Sequence, residues 1–229
     1  MTHLVLFDID GTLLWSRGAG RNAIRAALLA EFGVTGPVDE YRFDGKTDPQ
    51  IVRELMASAG VSIDGPGREE ALFRHYIELL EAELSSHPRV RVLPGVPALL
   101  DAVEAVDGAV LGLLTGNVRG GAILKLRAAG LEPRRFRVGA FGSDSAERTE
   151  LPAIAVARAA ALMGRSPTGS EVVIAGDTPA DMTCGKAIGA RAIGVCTGSF
   201  DAGALTRAGA HAVFDDLSNT AGVLEAMLS

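Results

Sequence analysis

Short apolar runs recur along the chain, each closed by polar or turn residues. They are LVLFDI (4–9), AVLGLLT (109–115), FRVGAF (136–141), EVVIAGD (171–177), RAIGVC (191–196) and HAVF (211–214). They are rich in Val, Ile and Leu and barely alternate, which is the pattern of strands covered on both faces in a parallel sheet. Helical periodicity fills the gaps, in VPALLDAVEAV (96–106), GGAILKLRAAG (120–130), LPAIAVARAAALMG (151–164), DMTCGKAIG (181–189) and TAGVLEAML (220–228). Strand alternating with helix predicts an α/β fold with a doubly wound parallel sheet.

One region breaks the alternation. From about Leu14 to Arg91 no buried strand is evident, and three helical stretches stand instead: 20–33, 48–60 and 68–86. Thr47 suits the N-cap of the second, with Pro49 in its first turn. The run HPRVRVLPGVP (87–97) returns the chain to the sheet. The expected division is therefore a sheet domain of residues 1–14 and 92–229, with a helical domain of residues 15–91 inserted after the first strand. Trp15, the sole tryptophan, falls where the hinge between them is expected.

Composition narrows the class. The 229 residues are 48% hydrophobic and 22% charged, enough for a sizeable aliphatic core. A net charge of -6 and the lack of a basic stripe argue against a nucleic-acid partner; the RRFR cluster (134–137) reads as a solvated segment. Cys184 and Cys196 have no metal-type spacing and suit a reducing compartment. The four histidines are scattered. MTHLVLFDID is not a secretory leader, and no run approaches the roughly 18 apolar residues of a membrane span. The expectation is a cytoplasmic protein, monomer or homodimer.

Ligands of open α/β sheets bind beyond the carboxyl ends of the strands. There the chain places Asp8 and Asp10, Thr115-Gly116-Asn117, Ser143-Asp144 and Gly176-Asp177. Asp8 and Asp10 are two apart, on one side of an extended chain. Asp177 and Asp181 are four apart, on one face of a helix start. Carboxylates converging without His or Cys call for a hard cation, and Mg²⁺ suits oxygen-only ligation completed by a substrate phosphate. Thr115 offers a hydroxyl, and Gly116-Asn117 opens a helix whose free N–H groups favour an anion.

FDIDGTL, LLTGN and GDTPADM, in this order and spacing with a helical insert between the first and second, resemble three motifs of the haloacid dehalogenase superfamily of phosphohydrolases. The resemblance covers essentially the whole chain and implies a Rossmann-like core with a helical cap. It further implies an Mg²⁺-dependent phosphatase of small phosphorylated metabolites. Asp8 would be the nucleophile, forming an aspartyl-phosphate, and Asp10 the general acid and then base. The Asp8 side chain, the Asp10 carbonyl and the Asp177 side chain would hold the metal, with Asp181 orienting that shell or binding through water. Thr115 and neighbouring amides would hold the phosphoryl oxygens, Gly11 would let the chain turn, and Thr12 would tie the turn down.

The family's third motif usually supplies a Lys before the helix leading to the fourth strand. Here that segment reads SDSAERTELPAIA, with Arg148 nearest the place. Lys125 is the other candidate, eight residues past Asn117, or roughly 12 Å along a helix. In the insert, Gly45-Lys46-Thr47 resembles the specificity loop of phosphoglycolate-phosphatase-like members, which would set Lys46 or the Gly45 amide over the leaving group. Arg17 and Arg21 could also face the site. A dehalogenase has no need of Asp10. A sugar phosphomutase shares the same core, and a phosphonatase would need a cap lysine such as Lys46. A phospho-receiver would be about half as long, and a catalytically dead binding protein would have lost Asp8 or Asp10.

Overall fold

A computed structural model describes residues 3–65, 67–86 and 90–229; His87, Pro88 and Arg89 of the predicted return segment lie outside the described residues. Six parallel strands form one sheet: β1 (His3–Phe7), β4 (Ala109–Thr115), β5 (Val138–Phe141), β6 (Val172–Gly176), β7 (Arg191–Val195) and β8 (Ala212–Phe214). The order is β5-β4-β1-β6-β7-β8. All six apolar runs of the sequence become strands, and the sheet is doubly wound as expected. β1 is buried throughout, with Leu4 to Phe7 fully enclosed between two helical layers. The chain turns from β1 to the far side at β4 and to the near side at β6. That reversal opens a crevice at the end of β1, where Asp8 stands.

Helices α4 (Val96–Glu104), α5 (Arg119–Ala128), α6 (Leu151–Met163), α7 (Pro179–Cys184) and α9 (Thr220–Leu228) match the predicted stretches, α7 being shorter and followed by a 3₁₀ turn at Lys186–Ile188. α8 (Ala202–Ala208) escapes the apolar pattern, because its sequence AGALTRA buries only Leu205. Helices α1 (Ala19–Phe32), α2 (Asp48–Ser58) and α3 (Arg68–Ser86) pack on one another around Ile24, Leu28, Leu55, Met56, Leu72, Tyr76 and Leu80. This cluster is separate from those of the sheet.

The stretch from Leu14 to Arg91 holds no buried strand of the sheet, but two short strands bound it. β2 (Leu14–Trp15) pairs antiparallel with β3 (Arg91–Val92), so the chain enters and leaves the insert through one two-stranded ribbon. Strands of two residues are too short to carry a periodicity. Trp15 sits on this ribbon, 43% exposed, and its indole N–H donates to the Thr197 carbonyl at 3.0 Å. The RRFR cluster forms a 3₁₀ turn whose Arg135 pairs with Asp101 and Glu104. Among the described residues no helix is long and apolar enough to cross a membrane.

Candidate active site

Asp8 follows β1 directly, its N–H bonded to the Ala175 carbonyl of β6 at 2.9 Å. After it the chain folds tightly: the N–H groups of Leu13 and Leu14 both reach the Ile9 carbonyl. Gly11 makes this possible, with φ at 83° in the left-handed region. A Cβ there would overlap the Asp177 carboxylate. Thr12 donates to Asp177 Oδ1 at 3.2 Å, tying the turn to the end of β6.

Asp177 precedes α7 instead of lying on its face, and the sequence reading is corrected in that detail. Thr178 is the N-cap, and its amide and hydroxyl both donate to Asp181 Oδ2, at 3.0 and 2.7 Å. This capping box swings the Asp181 carboxylate back toward Asp177. Asp8, Asp177 and Asp181 each offer an oxygen within 4.8 Å of the others, and all three are buried. Arg148, also buried, lies 2.5 Å from Asp181 and 3.4 Å from Asp8. Burial pushes the Asp8 carboxyl up to about 6 against the pull of Arg148. Burial, then the charges of Asp181 and Asp8, push Asp177 well above the usual range. One guanidinium against three carboxylates leaves two negative charges uncompensated. An oxygen-only donor set with that surplus fits a divalent cation such as Mg²⁺.

Asp10 belongs to a second set. Its Oδ2 accepts from Lys125 at 2.5 Å and from Asn117 at 2.9 Å, and its Oδ1 from Ser16 at 2.7 Å. Burial alone would raise this carboxyl, but Lys125, Asn117 and Ser16 more than offset it and hold it below the usual range. Its side chain keeps 38% exposure, while Lys125 keeps 6%. Lys125 also donates to Asn117 Oδ1 at 2.6 Å, and Asn117 to Thr115 Oγ1 at 2.8 Å. The two basic candidates thus both reach the site and face different acids: Arg148 faces Asp8 and Asp181, Lys125 faces Asp10.

A cavity of about 340 Å³ opens between sheet and insert, lined by Asp8, Asp10, Thr115, Gly116, Asn117, Lys125, Arg148 and Asp177 on one side. Gly45, Lys46, Phe43, Ile24, Ile51 and Asp48 line the other. Lys46 departs from its expected aim. Lys46 lines the cavity, but its ammonium is engaged within the insert, paired with Glu54 at 2.7 Å and touching the Tyr41 hydroxyl. Arg21 lies 4.1 Å over the Phe43 ring and donates to the carbonyls of Val38 and Tyr41. Arg17 lines the cavity mouth, exposed, with φ at 48°. Asp181, Met182 and Cys184 are buried along α7, and burial raises the Cys184 thiol to about 12. Among the described residues no histidine lines the cavity; His75 pairs with Glu31 at 3.0 Å, and His87 lies outside the described residues.

Several residues of the site carry no signal in the sequence, among them Ser16, Gly198 and Ser199. Asp48 reads as an ordinary first-turn acid of α2. Asp48 is in fact buried, accepts from the Val118 N–H at 2.8 Å and is pushed by burial up to about 6, against the pull of Lys125.

The model of the haloacid dehalogenase-like hydrolases matches residues 2–189. Among solved structures, a hydrolase from Pseudomonas syringae is 24% identical with a TM-score of 0.75, each chain covered in full. CbbY from Rhodobacter sphaeroides in complex with phosphate is 21% identical, with a TM-score of 0.65 and 96% of both chains covered. A predicted phosphoglycolate phosphatase from Haemophilus somnus is 19% identical, with a TM-score of 0.68, covering 97% of this chain and 98% of that one. No curated protein matches. The likeness to these structures concerns the fold, and the match over residues 2–189 supplies the family: the chain belongs to the haloacid dehalogenase-like hydrolases.

Proposed function

We propose that this protein is a Mg²⁺-dependent phosphatase of small phosphomonoesters, with residues 15–91 as its cap and residues 1–14 and 92–229 as its core. The observation that carries the reading is the separation of the acids into two sets. Asp8, Asp177 and Asp181 cluster with a surplus of negative charge, and the one arginine among them pairs with Asp8 and Asp181. Asp10 is neutralised apart from them by Lys125. A nucleophile held by a cation and an acid–base group kept clear of it are what stepwise phosphoryl transfer needs.

Mg²⁺ held by Asp8, Asp177, the Asp10 carbonyl and the shell of Asp181 would neutralise the phosphoryl oxygens. Asp8 attacks phosphorus, the ester P–O bond breaks, and the leaving oxygen takes a proton from Asp10, which must carry that proton into the cycle although Lys125, Asn117 and Ser16 favour its carboxylate. Water then attacks the aspartyl-phosphate, Asp10 takes the proton, and the bond from Asp8 to phosphorus breaks to release phosphate. Thr115, Gly116, Asn117 and Arg148 line the cavity and would surround the phosphoryl oxygens. The cavity of about 340 Å³ suits a small metabolite.

The test is phosphate release from a panel of small phosphomonoesters, including phosphoglycolate and sugar phosphates, with Mg²⁺ and then with chelator. Release that needs the metal is expected. Release unaffected by chelator removes the metal from the reading, and no release from any member removes the phosphatase.

A further inference from the structure

Asp48 does something a first-turn acid seldom does. It follows Thr47, the N-cap of α2, yet its carboxylate leaves its own helix. It caps α5 instead: Asp48 Oδ2 accepts from the amide of Val118, the N-cap residue of α5, at 2.8 Å. The Val118 side chain offers no cap; its own amide is satisfied from the insert, while the next amide, that of Arg119, donates to Ser143 Oγ of the sheet domain at 3.2 Å. The contact is reciprocal, because the Asp48 amide donates to the Gly116 carbonyl at 2.8 Å. Thr47 Oγ1 adds a bond to the Ala146 carbonyl at 2.7 Å. The Val118 side chain is buried in the insert's apolar cluster, and Gly116 has no room for a Cβ against the Lys46 carbonyl.

We propose that Asp48 is a positioning residue: by capping α5 from the insert, it makes closure of the insert and assembly of the Asp10 network one event. The segment it holds, residues 116–118, carries Asn117, and α5 carries Lys125. Both meet Asp10 at the same oxygen. With the insert lifted away, the Val118 amide loses its acceptor, and the stretch that presents Asn117 and Lys125 keeps only its bonds to the sheet domain, from the Gly142 amide to the Asn117 carbonyl and from the Arg119 amide to Ser143 Oγ. The proposal rests on the phosphatase reading for what the Asp10 network does, and on the hydrogen bonds alone for how it is held.

The experiment compares wild type, Asp48→Asn and Asp48→Ala as full chains with Mg²⁺. It reads hydrogen exchange at the Val118 amide, and kcat and KM on whichever phosphomonoester the wild type cleaves. Asp48→Ala should speed exchange at Val118 and lower kcat, each by about tenfold or more, with KM changed less than about threefold. Asp48→Asn keeps an acceptor oxygen and should restore both. A merely structural acid would lower thermal stability without this split or this rescue. Val118 as protected in Asp48→Ala as in wild type, or kcat unchanged, overturns the proposal, as does an Asp48→Asn protein as impaired as Asp48→Ala. Should Asp48→Ala not fold, Gly116→Ala displaces the Lys46–Thr47 backbone while leaving the carboxylate intact. It too should speed Val118 exchange, and unchanged exchange counts against the latch. A wild type that cleaves nothing sinks the phosphatase reading, while the exchange comparison still decides the role of Asp48.

Discussion

Arg148 stands 2.5 Å from Asp181 and 3.4 Å from Asp8, so a single guanidinium serves two of the three clustered carboxylates. Removing it leaves three buried acids with no internal cation. Arg148→Ala should cost the metal-free protein roughly 3–5 kcal/mol. Mg²⁺ should recover part of that loss, because it meets the same charge. Thermal unfolding in Mg²⁺ and in chelator checks this; an equal loss in both would mean that Arg148 and the metal do not share those carboxylates.

Asp8 binds its proton more tightly folded than unfolded, since burial lifts it from 3.8 to about 6. Its contribution to stability is therefore full at acid pH and is lost as pH rises through about 6. Asp8→Asn should then be more stable than wild type in chelator near neutral pH, by roughly 1–3 kcal/mol, with the gap closing toward pH ~4. Turnover should vanish. Denaturation midpoints across that range test the sign, and retained turnover would remove Asp8 as the nucleophile.

Lys125 opposes the burial of Asp10. Lys125→Met leaves burial less opposed, so Asp10 should keep its proton to higher pH. Turnover should fall, and the limb of the pH–rate profile set by the acid should move upward in pH. A limb that stays in place would separate Lys125 from the protonation of Asp10. Asp10→Asn should slow both formation and breakdown of the aspartyl-phosphate, and single-turnover kinetics would show each step.

Lys46 is held by Glu54 and Tyr41. Lys46→Ala should leave kcat within about twofold and raise KM by no more than about threefold, the size of a lost peripheral contact. A drop of about a hundredfold in kcat would place its ammonium on the substrate, as the loop's resemblance implies.

Much of this was legible in the chain. Continuous Val, Ile and Leu runs are what a sheet buried on both faces requires, so β1 and β4 to β8 could be read directly. The acids at the strand ends could be read too, because carboxylates closing apolar runs have few other reasons to be there. Arg148 and Lys125 could not be told apart, since each reaches the cavity from a different element and only the packing shows which acid it meets. Asp48 was hidden for a related reason. Its partner is seventy residues away, at Val118. In sequence it is indistinguishable from any acid favoured in a helix's first turn. The β2–β3 ribbon and α8 were missed because two residues, or one buried leucine in seven, give no period.

The ribbon itself has a mechanical meaning. Trp15 and Arg91 face each other across it, so both ends of everything between them meet at one point on the sheet. Residues 16–90 are therefore strung from a single pair of neighbouring strands, outside the register of β1 against β4 and β6. The roof hangs from one strap, and Asp48 ties it to the N-terminus of α5.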